Sequence, residues 1–268
     1  MAYVSRHSRS RARERVRAAP GALRHTARVT TPPVRPTPPD AVPREPPDGA
    51  TTTTTPAPPW PCRVEATLWW HRATPAALDT LPPALRARVR LPVTVGAFLR
   101  YPDSPVGPYE EVLACPAILD GGRGPGLLHA SVPFIAVDSA ASVSGGREHW
   151  DLPKVLATFR RQGPRVSAAA DGWAVTATVR AFGPPLPVAA WFRVTQPGPG
   201  GGTRTARSRV RGLARPARVL VEVDPADPLS AWVVPGRHPG ARLTRARLLV
   251  GPASRGDAPN PASASSHD

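Results

Sequence analysis

Residues 142–157 read SVSGGREHWDLPKVLA, and Lys154 within this stretch is the only lysine of the 268-residue chain. The other 34 of its 35 basic residues are arginine. Arginine supplies the same positive charge as lysine, but its guanidinium group does not lose its proton in proteins. A lysine retained in such a chain therefore points to a position that needs a free amine. The alternative is that a single lysine is a chance survivor.

The residues around Lys154 predict a helix over 151–161, DLPKVLATFRR. Asp151 is a suitable N-cap, and Pro153 is compatible with a first helical turn. One face of this helix is apolar, with Leu152, Leu156 and Phe159. Lys154 would then lie in the first turn, among apolar neighbours that disfavour its charged form.

The rest of the central chain has the pattern of a β-rich domain. A further helix is predicted at TPAALDTLPPALR, with Thr74 as N-cap and Pro75 at its first position. Apolar or alternating runs bounded by Gly, Pro and Asp predict the strands EATLWWHR, LPVTVGAFLRY, YEEVLACPAIL, LLHASVPFIAVD, WAVTATVRAF, AAWFRV, ARSRVRGLA and ARVLVEVD. These runs follow one another too closely for long crossover helices, so antiparallel pairing is expected.

Composition divides the chain into three parts. Residues 1–59 are rich in Arg, then in Pro and Thr, and contain too few apolar residues to offset the entropy of ordering, so we predict a disordered extension. Residues 60–252 form one domain of ordinary size. Residues 253–268 are predicted to be a disordered tail.

The net charge of +16 does not by itself identify a nucleic-acid-binding protein. Residues 1–35 contain nine arginines against one acid, Glu14, but show no zinc-finger spacing and no aromatic RNA-binding strand. We therefore do not expect a nucleic-acid partner, although an Arg-rich arm that contacts nucleic acid is the competing interpretation.

Cysteine usage and hydropathy indicate a cytoplasmic protein. Cys62 and Cys115 have neither a CxxC spacing nor a neighbouring metal ligand, which favours reduced thiols. No run approaches the ~18 apolar residues of a membrane span, and the N-terminus lacks the apolar segment of a secretory signal. His71, His129 and His149 show no metal-binding spacing, so we predict neither a metal nor an organic cofactor.

Residues 142–157, together with SPVGPYEE at 104–111, resemble the acetoacetate decarboxylase family. The family has a GRE segment followed by an aromatic residue and PK, here Gly146-Arg147-Glu148 and Pro153-Lys154. Its G-x-Y-x-E segment matches residues 107–111. The run VEATLWWHRATPAALDTLPPAL also resembles the family's N-terminal strand and helix. The resemblance covers roughly residues 62–250 and is weak after residue 195.

The resemblance implies a Schiff-base enzyme in which Lys154 forms an imine with a small keto acid and Glu111 assists proton transfer. Acetoacetate decarboxylase is itself a standard example of an enzyme whose lysine is activated by an apolar pocket or a neighbouring cation. Arg63 is the candidate clamp for the substrate carboxylate, and Tyr109 and Arg147 are further candidates for substrate binding. The implied fold is a β-rich α+β domain with an antiparallel, cone- or barrel-like sheet around a pocket, a few short helices and homo-oligomeric assembly.

Several alternatives remain open at this point. Val155 stands where the family often has a second lysine, which removes an expected cation neighbour. Decarboxylation of a β-keto acid, aldol and dehydration chemistry on a pyruvate-like keto acid, and non-catalytic binding of a small molecule all fit the motifs. Arg147 and Glu148 also fit a buried ion pair that shapes the chain before Lys154. Glu110 and Glu111 must point to opposite sides of a strand, so only one of them faces the pocket.

Overall fold

The computed structural model describes residues 55–120, 127–198 and 202–256. The strands in this part of the chain are β1 (Trp60–Arg72), β2 (Val89–Leu91), β3 (Val93–Asp103), β4 (Tyr109–Cys115), β5 (Ile118–Leu119), β6 (Leu127–Ala130), β7 (Phe134–Val137), β8 (Lys154–Leu156), β9 (Thr158–Gln162), β10 (Arg165–Ala170), β11 (Trp173–Ala181), β12 (Leu186–Pro197), β13 (Thr203–Val223) and β14 (Gly236–Gly256). The helices are α1 (Pro75–Asp79), α2 (Pro83–Arg86) and α3 (Ala140–Trp150), with a 3₁₀ turn at Pro228–Ala231. None of the described helices is long and apolar enough to cross a membrane.

The strands join into one large mixed sheet with the order β2-β5-β6-β12-β13-β14-β1-β3-β4-β7-β8. A branch of three strands, β9-β10-β11, joins through β11 to the C-terminal part of β13. Most neighbours are antiparallel, as the sequence predicts, but β6 runs parallel to β12 and β8 runs parallel to β7. The two runs ARSRVRGLA and ARVLVEVD belong to a single strand, β13, which is long enough to pair with β12 along one part and β11 along another.

Irregular pairing curls the central strands around a pocket. The register between β1 and β14 shifts between Val64 and Ala66, and Arg245 in β14 adopts a left-handed φ of 49° at this place. Such bulges bend a strand and increase its twist. The prediction of a β-rich α+β fold is confirmed, and the sheet is curled but does not close into a barrel.

Two apolar clusters pack on opposite faces of the sheet, since Phe98 and Leu99, which are neighbours in β3, belong to different clusters. One contains Trp69 and Phe98 and lies where the β9-β10-β11 branch folds back. The other contains Trp60, Trp150 and Tyr109, and it surrounds the pocket described below. Each fully buried side chain of this size contributes about 1.5–3 kcal/mol through removal of apolar surface from water.

The N-terminal helix prediction is right in its start and wrong in its length. The side chain of Thr74 accepts a hydrogen bond from the Ala77 N–H at 3.1 Å and caps α1, with Pro75 as the first helical residue. The predicted single helix is divided into two, and the second helix, α2, begins at Pro83. Pro82 and Pro83 account for the break, because a proline inside a helix lacks the N–H donor and clashes with the preceding turn.

The predicted helix over 151–161 is wrong. The helix lies upstream, as α3, and Asp151 ends it in a left-handed conformation with φ of 52°. The Asp151 and Leu152 N–H groups donate to the carbonyls of Arg147 and Gly146, a pattern that closes helix C-termini. Lys154 then begins β8 and stands opposite Ile135 of β7.

The predicted extension and tail lie almost wholly outside the described residues. At their inner edges the structure shifts the predicted boundaries by a few residues. Thr55 is buried, and its hydroxyl hydrogen-bonds Glu148 of α3. Strand β14 continues through Gly256, into the segment 253–268 that was predicted to be a disordered tail.

Candidate active site

Lys154 projects from the first position of β8 into the concave side of the sheet. Its side chain is buried, and the residue is only 4% exposed. The next residue, Val155, points the other way and is 40% exposed, as strand alternation requires. A lysine at position 155 would therefore not face the Lys154 amine, so the valine there removes no cation from the site.

The Lys154 amine has two polar partners. It donates to Glu111 Oε2 at 2.8 Å and to Ser142 Oγ at 2.9 Å. Glu111 comes from β4 and is 3% exposed, and Ser142 comes from the first turn of α3 and is fully buried. A buried charge is tolerated only when it is paired and hydrogen-bonded, and here the amine and the carboxylate satisfy each other.

Two stacked tyrosines complete the polar cluster. Tyr101 and Tyr109 face each other across β3 and β4 with ring centroids 4.3 Å apart. The Tyr101 hydroxyl donates to Glu111 Oε1 at 3.1 Å, and the Tyr109 ring centroid lies 5.3 Å from Lys154 Nζ. Burial, reinforced by the nearby Glu111 carboxylate, raises the pKa of both tyrosines well above the ordinary value. Both hydroxyls therefore stay protonated and remain hydrogen-bond donors.

The two adjacent glycines of α3 make room for the cluster. A Cβ at Gly146 would lie 2.5 Å from Lys154 Cδ, and a Cβ at Gly145 would lie 2.5 Å from the Trp60 ring. Both distances are far below van der Waals contact, so the GG pair in the sequence reflects the close approach of β8 and β1 to α3. This helix is consequently held by packing rather than by helix propensity.

A cavity of about 130 Å³ lies beside the Lys154 amine. Its walls are mainly apolar and aromatic, and the polar lining side chains are few. The lining residues are Trp60, Cys62, Leu99, Tyr101, Tyr109, Glu111, Leu113, Val132, Ile135, Trp150, Leu152, Lys154, Phe192, Val194, Ala206, Ser208, Leu248 and Val250. Among the described residues that line it, Lys154 is the only cationic side chain. Burial, followed by repulsion from Glu111, raises the pKa of the Cys62 thiol to about 12, so this wall is uncharged.

The structure does not bring Arg63 to the cavity. In β1 the neighbouring residue Cys62 points inward, and the Arg63 side chain lies on the opposite face with 69% of its surface exposed. There it makes a long ion pair with Asp103, at 3.9 Å between Nε and Oδ2. The prediction of a carboxylate clamp at Arg63 is therefore corrected, since a displacement of one residue in a strand reverses the direction of the side chain.

Arg147 also lies outside the cavity. Its side chain is exposed, and its Nε donates to the main-chain carbonyl of Lys154 at 2.9 Å. Arg147 and Glu148 do not form the predicted buried ion pair, because Glu148 is exposed and bonds Thr55 instead. Arg147 thus positions β8. Its placement does not support a direct contact with a substrate in the cavity.

The structure brings the predicted residues Lys154, Glu111 and Tyr109 together, and it places Tyr101, Ser142 and Cys62 beside them, which sequence reasoning did not assign to the site. Tyr101 could have been found only from the register of β3 and β4, in which it stands directly opposite Tyr109. Ser142 and Cys62 had no usable signal, because a serine and a cysteine are common and their approach to Lys154 depends on the packing of distant elements. The described residues contain no group of three side chains suited to hold a metal ion.

The arrangement is suited to imine chemistry. A buried primary amine lies 2.8 Å from a carboxylate that can accept its proton, and both face an apolar space of small-molecule size. Acid–base groups within hydrogen-bond reach of a nucleophile are the pattern expected of covalent catalysis.

Comparison with known proteins identifies the family. Residues 41–186 match the family model described as acetoacetate decarboxylase (ADC). The fold is similar to that of an acetoacetate decarboxylase from Legionella pneumophila, with a TM-score of 0.57 and 19% identity over 79% of this chain and 92% of that one. It is also similar to a second structure of acetoacetate decarboxylase, with a TM-score of 0.54 and 16% identity over 75% of this chain and 90% of that one.

A third similar structure is the enduracididine biosynthesis enzyme MppR with HEPES buffer bound. Its TM-score is 0.53 and its identity is 18%, over 74% of this chain and 87% of that one. At these identities the solved structures show a shared fold and not a shared reaction. No curated protein matches the sequence significantly. Since the family model covers more than half of the chain, the protein belongs to the acetoacetate decarboxylase family.

Proposed function

We propose that this protein is a Schiff-base-forming decarboxylase that converts a short β-keto acid into a ketone and carbon dioxide. The observation that carries the proposal is the Lys154 amine, buried and hydrogen-bonded to Glu111 and Ser142 at the wall of an apolar cavity. A volume of about 130 Å³ corresponds to on the order of four water molecules, which suits a substrate of a few carbon atoms.

The reaction begins with a proton transfer from the Lys154 ammonium to Glu111. The free amine then attacks the ketone carbon, and the carbonyl oxygen leaves as water after protonation. The product of this stage is a protonated imine that joins Lys154 to the substrate. Ser142 holds the amine from a second direction and so restrains its orientation during the attack.

Loss of carbon dioxide follows because the protonated imine accepts the electron pair of the bond between the α-carbon and the carboxylate. The carboxylate charge disappears in this step, and an apolar wall favours a transition state with less localised charge than the bound anion. An enamine remains. Glu111, whose proton left with the departing water, takes up one proton from solvent and delivers it to the α-carbon, and water then hydrolyses the new imine to release the ketone and the lysine ammonium.

The absence of a cation other than Lys154 from the described cavity lining favours decarboxylation over the pyruvate-type alternative. In aldol chemistry on a pyruvate-like acid the carboxylate persists through the reaction and must be bound in a buried site. A buried carboxylate without a cation or several donors is strongly disfavoured. In decarboxylation the same charge is removed as the reaction proceeds.

Reductive trapping tests the proposal. The protein is incubated with acetoacetate and then borohydride, and the adduct is located by peptide mass spectrometry, with Lys154→Arg as the control. We expect an adduct on Lys154 together with release of carbon dioxide and acetone. An adduct without carbon dioxide supports the pyruvate-type reaction. No adduct with acetoacetate or pyruvate supports a non-catalytic binding protein.

A further inference from the structure

The outer face of β1, β13 and β14 carries a second concave feature, which we call the arginine cleft. Its walls include Arg63, Arg209, Arg211 and Arg247, and the turn at 103–105 closes one side. The cleft has a volume of about 690 Å³, within the range of small-ligand sites. It lies on the face opposite the Lys154 cavity, since inward and outward side chains alternate along these strands.

The arginines of this cleft are arranged in register. Arg63 stands directly opposite Arg247, and Arg247 stands directly opposite Arg211 on the next strand. Like charges that face each other on neighbouring strands destabilise a sheet. A row of three such residues therefore has an electrostatic cost that an anion bound over it would remove.

The described part of the chain provides little to neutralise this row. Among the described residues that line the cleft, Asp103 is the one acid, and its Oδ2 lies 3.9 Å from Arg63 Nε with 71% of the Asp103 side chain exposed. Within the described residues, Arg209, Arg211 and Arg247 make no ion pair. Three guanidinium groups on one concave surface thus retain their hydrogen-bonding capacity for a ligand.

An aromatic side chain borders the same surface. Trp191 is 55% exposed and stands opposite Arg209 in the register of β12 and β13. The Arg209 guanidinium carbon lies 5.8 Å from the Trp191 ring centroid. Exposed tryptophan beside arginine is a combination on which a planar heterocycle can stack.

A second copy of the chain does not fit this surface in a symmetric contact. A two-fold interface brings the same patch of both subunits together, and here it would place Arg211 and Arg247 against their own counterparts. The unbalanced positive charge instead favours an anionic partner, and the bounded, concave shape favours a small molecule over a long polymer.

We propose that the arginine cleft binds a small molecule with two or more phosphate groups and a planar base, such as a nucleoside diphosphate. Arg211 and Arg247 would hold phosphate oxygens through their planar, forked donors. Trp191 would stack on the base. The site is independent of the proposed decarboxylation and is separated from the catalytic cavity by one layer of β-strand.

Isothermal titration of the full-length protein with ADP, pyrophosphate, orthophosphate and a single-stranded DNA octamer tests the proposal. The test variant is Arg211→Gln/Arg247→Gln. The matched control is Arg180→Gln/Arg218→Gln, which removes another exposed pair of arginines that face each other on β11 and β13. Both variants lose the same charge, so a general effect of net charge is identical in the two.

We expect ADP and pyrophosphate to bind more tightly than orthophosphate, and the cleft variant to weaken ADP binding by at least about tenfold. The control variant should change it by less than about threefold. Trp191→Ala should weaken ADP binding and leave pyrophosphate binding unchanged. Equal weakening in the cleft and control variants, binding of the DNA octamer alone, or no effect of Trp191→Ala on ADP would each overturn the proposal.

Discussion

Replacement of Glu111 by glutamine tests the central contact of the proposed active site, and the chain provides its own control. Glu110 and Glu111 are neighbours on β4 and point to opposite faces of the sheet. Glu111 pairs with Lys154, whereas Glu110 pairs with Arg161. Both substitutions remove one negative charge and preserve the shape of the side chain.

The expected magnitudes follow from distance and burial. At 2.8 Å the attraction between Glu111 and Lys154 is about 6 kcal/mol for an effective dielectric constant of about 20. Removal of one partner of a buried pair costs about 3–5 kcal/mol in measured cases. The Glu110–Arg161 pair is part-buried, with 17% and 27% of its side chains exposed, so its contribution lies between the about 0–1 kcal/mol of solvent-exposed pairs and that of buried ones. Glu111→Gln should therefore lower the free energy of unfolding by more than Glu110→Gln, with an expected difference of about 1 kcal/mol or more.

Activity should separate the two variants further. Loss of a general acid–base group lowers rates by about 10²–10⁴-fold, so Glu111→Gln should reduce release of carbon dioxide from acetoacetate by this factor. Glu110→Gln should stay within about threefold of wild type. Urea unfolding and a carbon dioxide assay measure both quantities. A Glu111→Gln protein with more than about a tenth of the wild-type rate, or an equally impaired Glu110→Gln protein, would refute the assignment.

Three further predictions rest on individual contacts. Gly146→Ala places a Cβ 2.5 Å from Lys154 Cδ and so displaces the lysine side chain. Borohydride trapping and kcat should both fall by about 10²-fold, and unchanged trapping would contradict the close packing of Gly146 on Lys154. Burial raises the pKa of Cys62 to about 12, so iodoacetamide at pH 8 should label it only after unfolding, and rapid labelling of the folded protein would be contrary to this. Burial lowers the pKa of His71, and the Val234 N–H donates to its Nε2. The stability from neutral His71 is therefore present above pH ~6.5 and is lost as the pH falls through the folded pKa. His71→Gln should reduce the drop in Tm between pH 7.5 and 5. An unchanged drop in Tm would argue against this role of His71.

The sequence grouped Lys154 and Glu111 in one candidate site, and the structure brings them together, but the local structure predicted around Lys154 was wrong. Lys154 and Glu111 could be found because their residue types are chemically constrained and their motifs are short. The prediction of a helix over 151–161 was wrong because helix propensity is a local property, and it cannot detect that the strand containing Lys154, β8, pairs in parallel with β7. Residues 140–150 form the helix in spite of two glycines, and the close contacts of these glycines with Trp60 and Lys154 are not visible in the sequence.

The placement of side chains around the cavity depended on register that the sequence does not show. Arg63 was assigned to the substrate carboxylate, but Cys62 occupies the inward position in β1. Tyr101 and Ser142 reach the site from β3 and α3, and their roles follow from long-range packing. Homo-oligomeric assembly and cytoplasmic location stay predictions.

The position of β14 has a consequence for how the protein folds. This strand lies between β1 and β13, so the N-terminal strand of the sheet pairs with the C-terminal one. Cys62 and Leu248, which both line the Lys154 cavity, stand directly opposite each other across that pair. Such pairing at long sequence separation slows folding, because a large loop must close first. During synthesis, β1 and β13 each have an unpaired edge until β14 is made. A fragment that ends before Gly236 should therefore aggregate rather than fold into a smaller stable domain.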